Sequence, residues 1–253
     1  MASSQIQESA GAVFFEYTLD NLICMTNEAK NLSICFESPE YKSSNYSIDC
    51  VKRGKLLHWL FDTLNYFAHD CPNPIECEYR CSAKCQDECG VRCSELCSKP
   101  RILSAKTRQL TMLVVDIFLS KKKIKASELQ LLATSALYLI MKFEETMAFT
   151  IYDALLVGGD IYSAEELMRM EVEILKTLEW KLNLPTAGEI ARGLLSSFGL
   201  PKEINLEMFA KQVDDYIEFC LMEMEISCYN LAIIAITSML CAFENTGLLP
   251  LGE

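Results

Sequence analysis

The stretch from Ser127 to Leu182 constrains this chain more than any other. It holds two helix-start signatures, Ser127 with Gln130 and Ser163 with Glu166. In such a capping box the Ser side chain and a Glu or Gln three residues on satisfy the free N–H groups of the first turn. The spacing predicts helices beginning near residues 128 and 164. The first carries Leu131, Leu132, Ala136, Leu137, Leu139, Ile140 and Met141. That is apolar on nearly all sides, the pattern of a helix buried inside a bundle. Its one cation is Lys142, followed by Phe143-Glu144-Glu145. The second carries Leu167, Met168, Met170, Val172, Ile174, Leu175, Leu178 and Trp180, with Glu171 among them. A buried charge without a partner is costly. Lys142 and Glu171 therefore need partners: each other, or backbone groups of another chain.

The same reasoning applies upstream. A helix over about 49–68 has Val51, Leu56, Leu57, Trp59, Leu60, Leu64 and Phe67 as its apolar residues, and Arg53 lies among them. A helix over about 105–120 has Asp116 in the middle of an apolar run. A buried carboxylate calls for a bidentate cation, and Arg53 is the natural one. With a short helix at 149–157, five helices can be counted: about 49–68, 105–120, 128–145, 149–157 and 164–181.

These features resemble the cyclin box. Lys142-Phe-Glu-Glu145 and Arg169-Met-Glu171 fit that family's pattern and spacing, and the family pairs an Arg and an Asp at the positions of Arg53 and Asp116. The resemblance implies an all-α cyclin fold and a non-catalytic subunit that binds and activates a cyclin-dependent kinase. It gives Lys142 and Glu171 the task of holding main-chain groups beside the kinase helix that moves on activation. Leu139, Phe143, Leu175, Trp180 and Leu182 would form the apolar bed for that helix, with ordinary core as the alternative for each. The Lys-Phe-Glu-Glu signature and Leu182-Asn183-Leu184-Pro185-Thr186 look nearer to A- and B-type cyclins than to G1 types. The family's groove for Arg-x-Leu peptides is degraded here. Leu56, Trp59, Leu129 and Gln130 are present, but Lys52 and Lys55 replace apolar wall residues.

Downstream, Thr186 with Glu189 forms a third capping box, and helices are expected near 187–198, 204–224 and 230–244. Tyr216 to Glu223 and Leu231 to Ala235 resemble parts of a second cyclin repeat. The chain ends at Glu253, so the resemblance implies either a shortened repeat or a truncated gene model. The expected organisation is an arm with a helix over 1–48, a first box over 49–185 with an insertion at about 70–103, and a partial second repeat over 186–253.

The insertion has no counterpart in the family. Cys77, Cys81, Cys85, Cys89, Cys93 and Cys97 recur at every fourth residue. In a helix, residues four apart share one side, so successive cysteines can offer two thiolates to one metal. Zinc needs four ligands, so two such pairs must meet, with Gly90 as the hinge. An unstructured thiol-rich loop and a disulfide framework are the alternatives.

Composition limits the remaining classes. A net charge of −12 over 253 residues argues against a general nucleic-acid or membrane surface, since both need clustered Lys and Arg. The basic run Lys121 to Lys125 reads as a solvated turn. No Gly-rich phosphate loop is present, and two histidines give little material for a His-based catalytic site, so an enzyme is not expected. The N-terminus lacks a signal-peptide layout, and nucleus and cytoplasm are the expected compartments. The competing functional reading is a metal-binding or redox module on a cyclin-like scaffold with no kinase partner. A transcription adaptor of the same fold would normally show a basic face.

Overall fold

The computed structural model describes residues 19–31, 50–68, 103–146, 149–198 and 204–246. All regular elements among them are helical, with no strand. The chain divides into two compact units, Glu37–Leu182 and Met1–Phe36 with Asn183–Glu253.

The larger unit contains α2 (Cys50–Ala68), α3 (Ala105–Lys121), α4 (Leu129–Glu144), α5 (Ile151–Val157) and α6 (Ala164–Thr177). Helix α4 is its axis and packs against the other four. This follows from its sequence, because from Leu129 to Met141 only Gln130 and Tyr138 are not fully buried. Helix α3 starts where the Ser104 hydroxyl accepts the Thr107 N–H at 3.1 Å. It is buried continuously from Gln109 to Leu119. Its last turn carries Lys121, where a cation suits the negative end of the helix dipole. Helix α5 begins at a capping box of Thr150 and Asp153. Helix α6 begins at Ser163, whose N–H donates to Glu166 Oε2 at 2.8 Å while its hydroxyl accepts the Glu166 N–H at 3.2 Å. The hydrogen bond from the Ser163 N–H is the main reason the Glu166 carboxyl lies below its ordinary range.

The start of α4 differs from expectation. Ser127 and Gln130 do not form a capping box. Ala126–Glu128 make one 3-10 turn, and the Lys125 N–H donates to Glu128 Oε2 at 3.1 Å. The Glu128 carboxylate thus serves the N–H of Lys125, at the start of the 3-10 turn, and makes no side-chain cap to α4 itself. Gln130 instead donates its Nε2 to the Gly158 carbonyl at 3.2 Å, one of the unpaired acceptors at the end of α5.

The smaller unit contains α1 (Leu19–Asn31), α7 (Ala187–Phe198), α8 (Leu206–Met222), α9 (Met224–Ser227) and α10 (Leu231–Asn245). Helix α10 is the central element and packs on α1, α7 and α8. Leu231, Ile234, Ala235, Met239 and Ala242 form its buried face. Helix α1 adds Leu22 and Ala29, seven residues apart and both buried. Helix α7 starts at Thr186, whose hydroxyl accepts the Glu189 N–H at 3.1 Å while its own N–H donates to Glu189 Oε2 at 3.1 Å.

Candidate functional site

Helices α4 and α6 place two charges side by side. Lys142 occupies the last turn of α4 and Glu171 the middle of α6. Lys142 Nζ lies 2.5 Å from Glu171 Oε1, with the two side chains 38% and 14% exposed. The same ammonium sits 3.9 Å from the centroid of the Tyr138 ring, one helical turn back on α4. Lys142 and Glu171 thus partner each other within the chain, and neither is sealed from solvent. An ammonium has three donors and a carboxylate two acceptor oxygens. Among the described residues, this pair is the only hydrogen bond that either group makes.

The expected apolar residues fall into three classes. Leu139 is buried in the core of the larger unit, while Leu175 and Leu182 are half-buried. Phe143 is 46% exposed and Trp180 68% exposed. Both are large aromatic rings left exposed to solvent. The backbone holds Trp180 in an unusual conformation. Glu179 and Trp180 have φ of 52° and 62°, the left-handed region, which costs about 1–2 kcal/mol for each L-residue. The turn closes α6 in the Schellman manner, with the Trp180 N–H donating to the Leu175 carbonyl at 2.9 Å and the Glu179 N–H to the Lys176 carbonyl at 3.1 Å. Lys181, 2.9 Å from Glu179, holds that carboxyl below its ordinary range, and Lys121 adds to the effect.

Further exposed apolar groups escape sequence reasoning. Met168 and Val172 on α6, Tyr152 and Leu156 on α5, and Ile161 all face solvent. Each helical pair is four residues apart and so shares a face. That spacing was the available signal, but it does not say whether the face meets the core or a partner.

The two glutamates that follow Phe143 have structural duties. Glu144 lies 3.1 Å from Lys106. Glu145 accepts the Ser104 N–H at 3.0 Å and the Thr107 hydroxyl, tying the end of α4 to the start of α3. Further along α3, Arg53 and Asp116 meet. Arg53 Nε donates to Oδ1 at 2.8 Å and Nη2 to Oδ2 at 2.6 Å. Burial pushes the Asp116 carboxyl up, and the guanidinium opposes it.

On α2, Leu56 is buried, Trp59 half-buried, and Lys52 and Lys55 exposed. Leu129 is buried and the Gln130 amide is engaged with Gly158. Cys77, Cys81, Cys85, Cys89, Cys93 and Cys97 lie outside the described residues. Among the described residues no three His, Cys, Asp or Glu side chains are grouped to hold a metal, and no helix is long and apolar enough to cross a membrane.

Comparison with known proteins bears on this arrangement. Residues 95–183 match the cyclin N-terminal domain. Cyclin-B1-3 of Oryza sativa subsp. japonica is 29% identical over 151 residues, 59% of this chain and 31% of that protein. Cyclin-B1-2 of Arabidopsis thaliana is 33% identical over 47% of this chain and 28% of its own length. G2/mitotic-specific cyclin-2 of Antirrhinum majus is 40% identical over 33% of this chain and 19% of its own. The chain thus spans between about a fifth and a third of the curated relatives it matches. The crystal structure of a viral cyclin from herpesvirus saimiri superposes with a TM-score of 0.67 at 15% identity, over 90% of this chain and 83% of that one. That likeness shows the fold.

Proposed function

We propose that this chain, whose residues 95–183 match the cyclin N-terminal domain and whose relatives include B-type cyclins, is a cyclin that binds and activates a cyclin-dependent kinase. One observation carries the reading. The Lys142–Glu171 pair bridges two helices at a solvent-accessible position, next in sequence to the exposed Phe143. A pair of this kind, with donors and an acceptor oxygen to spare, can bond to main-chain groups beside a docked helix without breaking its own contact. Phe143, Leu175, Trp180 and Leu182 supply the apolar area around it. Activation is then a population shift: the chain binds the active arrangement of the kinase better than the inactive one. The protein contributes no catalytic group of its own, and it works in nucleus and cytoplasm.

The test is affinity for a purified cyclin-dependent kinase catalytic subunit, measured by titration. Hydrogen bonds to charged groups are worth about 1.5–3 kcal/mol, so Lys142→Ala and Glu171→Ala should each weaken binding about tenfold or more. Helical circular dichroism should be unchanged. Wild-type affinity in both variants would sink the proposal.

The cysteine stretch supports a second, separate proposal. Its fourfold spacing fits zinc held by two pairs among Cys77, Cys81, Cys85, Cys89, Cys93 and Cys97. The kinase site lies on α4 and α6, apart in sequence from those cysteines, so the two proposals stand or fall independently.

A further inference from the structure

Resting on the kinase-binding reading above, we infer that Tyr138 is a positioning residue for Lys142. Lysine has a flexible four-carbon stem and a compact charge, and it gains precision only from what surrounds its head group. Here two groups surround it. Glu171 Oε1 is 2.5 Å away on α6, and the Tyr138 ring is 3.9 Å away on α4 itself. A cation over the face of an aromatic ring is attracted by the ring quadrupole. Tyr138 and Lys142 are four residues apart, so their side chains stack along one face of α4.

The ring is itself held in place. Tyr138 is half-buried, and its centroid lies 6.3 Å from that of Phe149 with the planes at 46°, within the range of favourable tilted aromatic pairs. Phe149 is buried. The chain of support runs from Phe149 to Tyr138 to the Lys142 ammonium and then to Glu171. A donor aimed in advance loses less entropy on binding than one that must be ordered by the partner. Tyr138 would act in this way without touching the kinase.

Three variants in the full chain test this: Tyr138→Leu, Tyr138→Phe and Lys142→Met, with Tyr138→Leu also made in the Lys142→Met background. The readouts are affinity for a purified cyclin-dependent kinase catalytic subunit and the NMR signals of the Lys142 side chain, which the ring current of Tyr138 displaces. Tyr138→Leu should weaken binding about three- to fivefold, the scale of an accessible cation–π contact, and remove the ring-current displacement. Tyr138→Phe keeps a ring face and should match wild type in both readouts. In the Lys142→Met background Tyr138→Leu should cost nothing more. The inference is overturned if Tyr138→Leu binds as wild type while Lys142→Met does not. It is equally overturned if the Tyr138→Leu loss persists without Lys142, which would assign the effect to packing on Phe149. If Lys142→Met itself binds as wild type, the kinase-binding reading fails. The NMR arm still decides whether Tyr138 holds the lysine, and an unshifted Lys142 signal in wild type overturns that.

Discussion

Arg192 grips both carboxylate oxygens of Asp214, with Nη1 3.1 Å from Oδ1 and 2.9 Å from Oδ2. The contact joins α7 to α8, the first two helices after the boundary between the units. It repeats the Arg53–Asp116 contact, which joins α2 to α3 in the larger unit. In each unit an Arg on one helix clamps an Asp on the next. The copies differ in setting, since Arg53 is fully buried whereas the Arg192 side chain is 25% exposed.

That difference sets an ordering of stability losses. Asp116→Ala leaves a guanidinium buried without its carboxylate, at a cost of about 3–5 kcal/mol. Asp214→Ala leaves Arg192 able to reach water, so its cost should be clearly smaller. Urea unfolding followed by circular dichroism measures both, and equal losses would show that burial does not govern the clamp.

Glu145→Ala should loosen the start of α3. It strips the acceptor from the Ser104 N–H and from the hydroxyl of the buried Thr107. The exposed Ser104 N–H can turn to water and the Thr107 hydroxyl to the Ser104 hydroxyl 2.9 Å away, so the loss should be that of ordinary hydrogen bonds, about 0.5–1.5 kcal/mol. Glu145→Gln keeps a carbonyl acceptor and should recover part of the loss in thermal unfolding.

Arg-x-Leu peptides should bind poorly. Lys52 and Lys55 are exposed on α2, close in sequence to Trp59, and would repel an incoming Arg, while the Gln130 amide is committed to the Gly158 carbonyl. Titration followed by Trp fluorescence should show no micromolar binding. Lys52→Met with Lys55→Ile should restore some.

Protein purified under reducing conditions, with zinc supplied during expression, should carry about one zinc ion per chain by elemental analysis. Deletion of residues 74–99 should abolish the metal and leave kinase affinity unchanged, because Arg53, Asp116, Lys142 and Glu171 lie outside it. A metal-free wild-type chain rejects the zinc site without touching the kinase reading.

Helical periodicity and end signals are local, and they were legible along the chain. The apolar run of α4, the Ser163 box that starts α6 and the Thr186 box that starts α7 depend on residues within a turn or two of one another. Arg53 and Asp116 stood out for a related reason, as opposite charges each set among bulky apolar neighbours. What the sequence left open depends on distance through space. It marked Met168 and Val172 as apolar but not as exposed, because a residue facing a partner and one facing the core have the same chemistry. It offered Lys142 and Glu171 each other or another chain, and only the packing of α4 on α6 set them 2.5 Å apart. It placed a cap at Ser127, whereas the chain enters α4 through the 3-10 turn Ala126–Glu128, in which Glu128 accepts the Lys125 N–H. The Arg192–Asp214 clamp and the hold of Glu145 on α3 were likewise settled by tertiary structure. Each joins residues on different helices, and no spacing along one helix can encode which side chains its neighbours bring within reach.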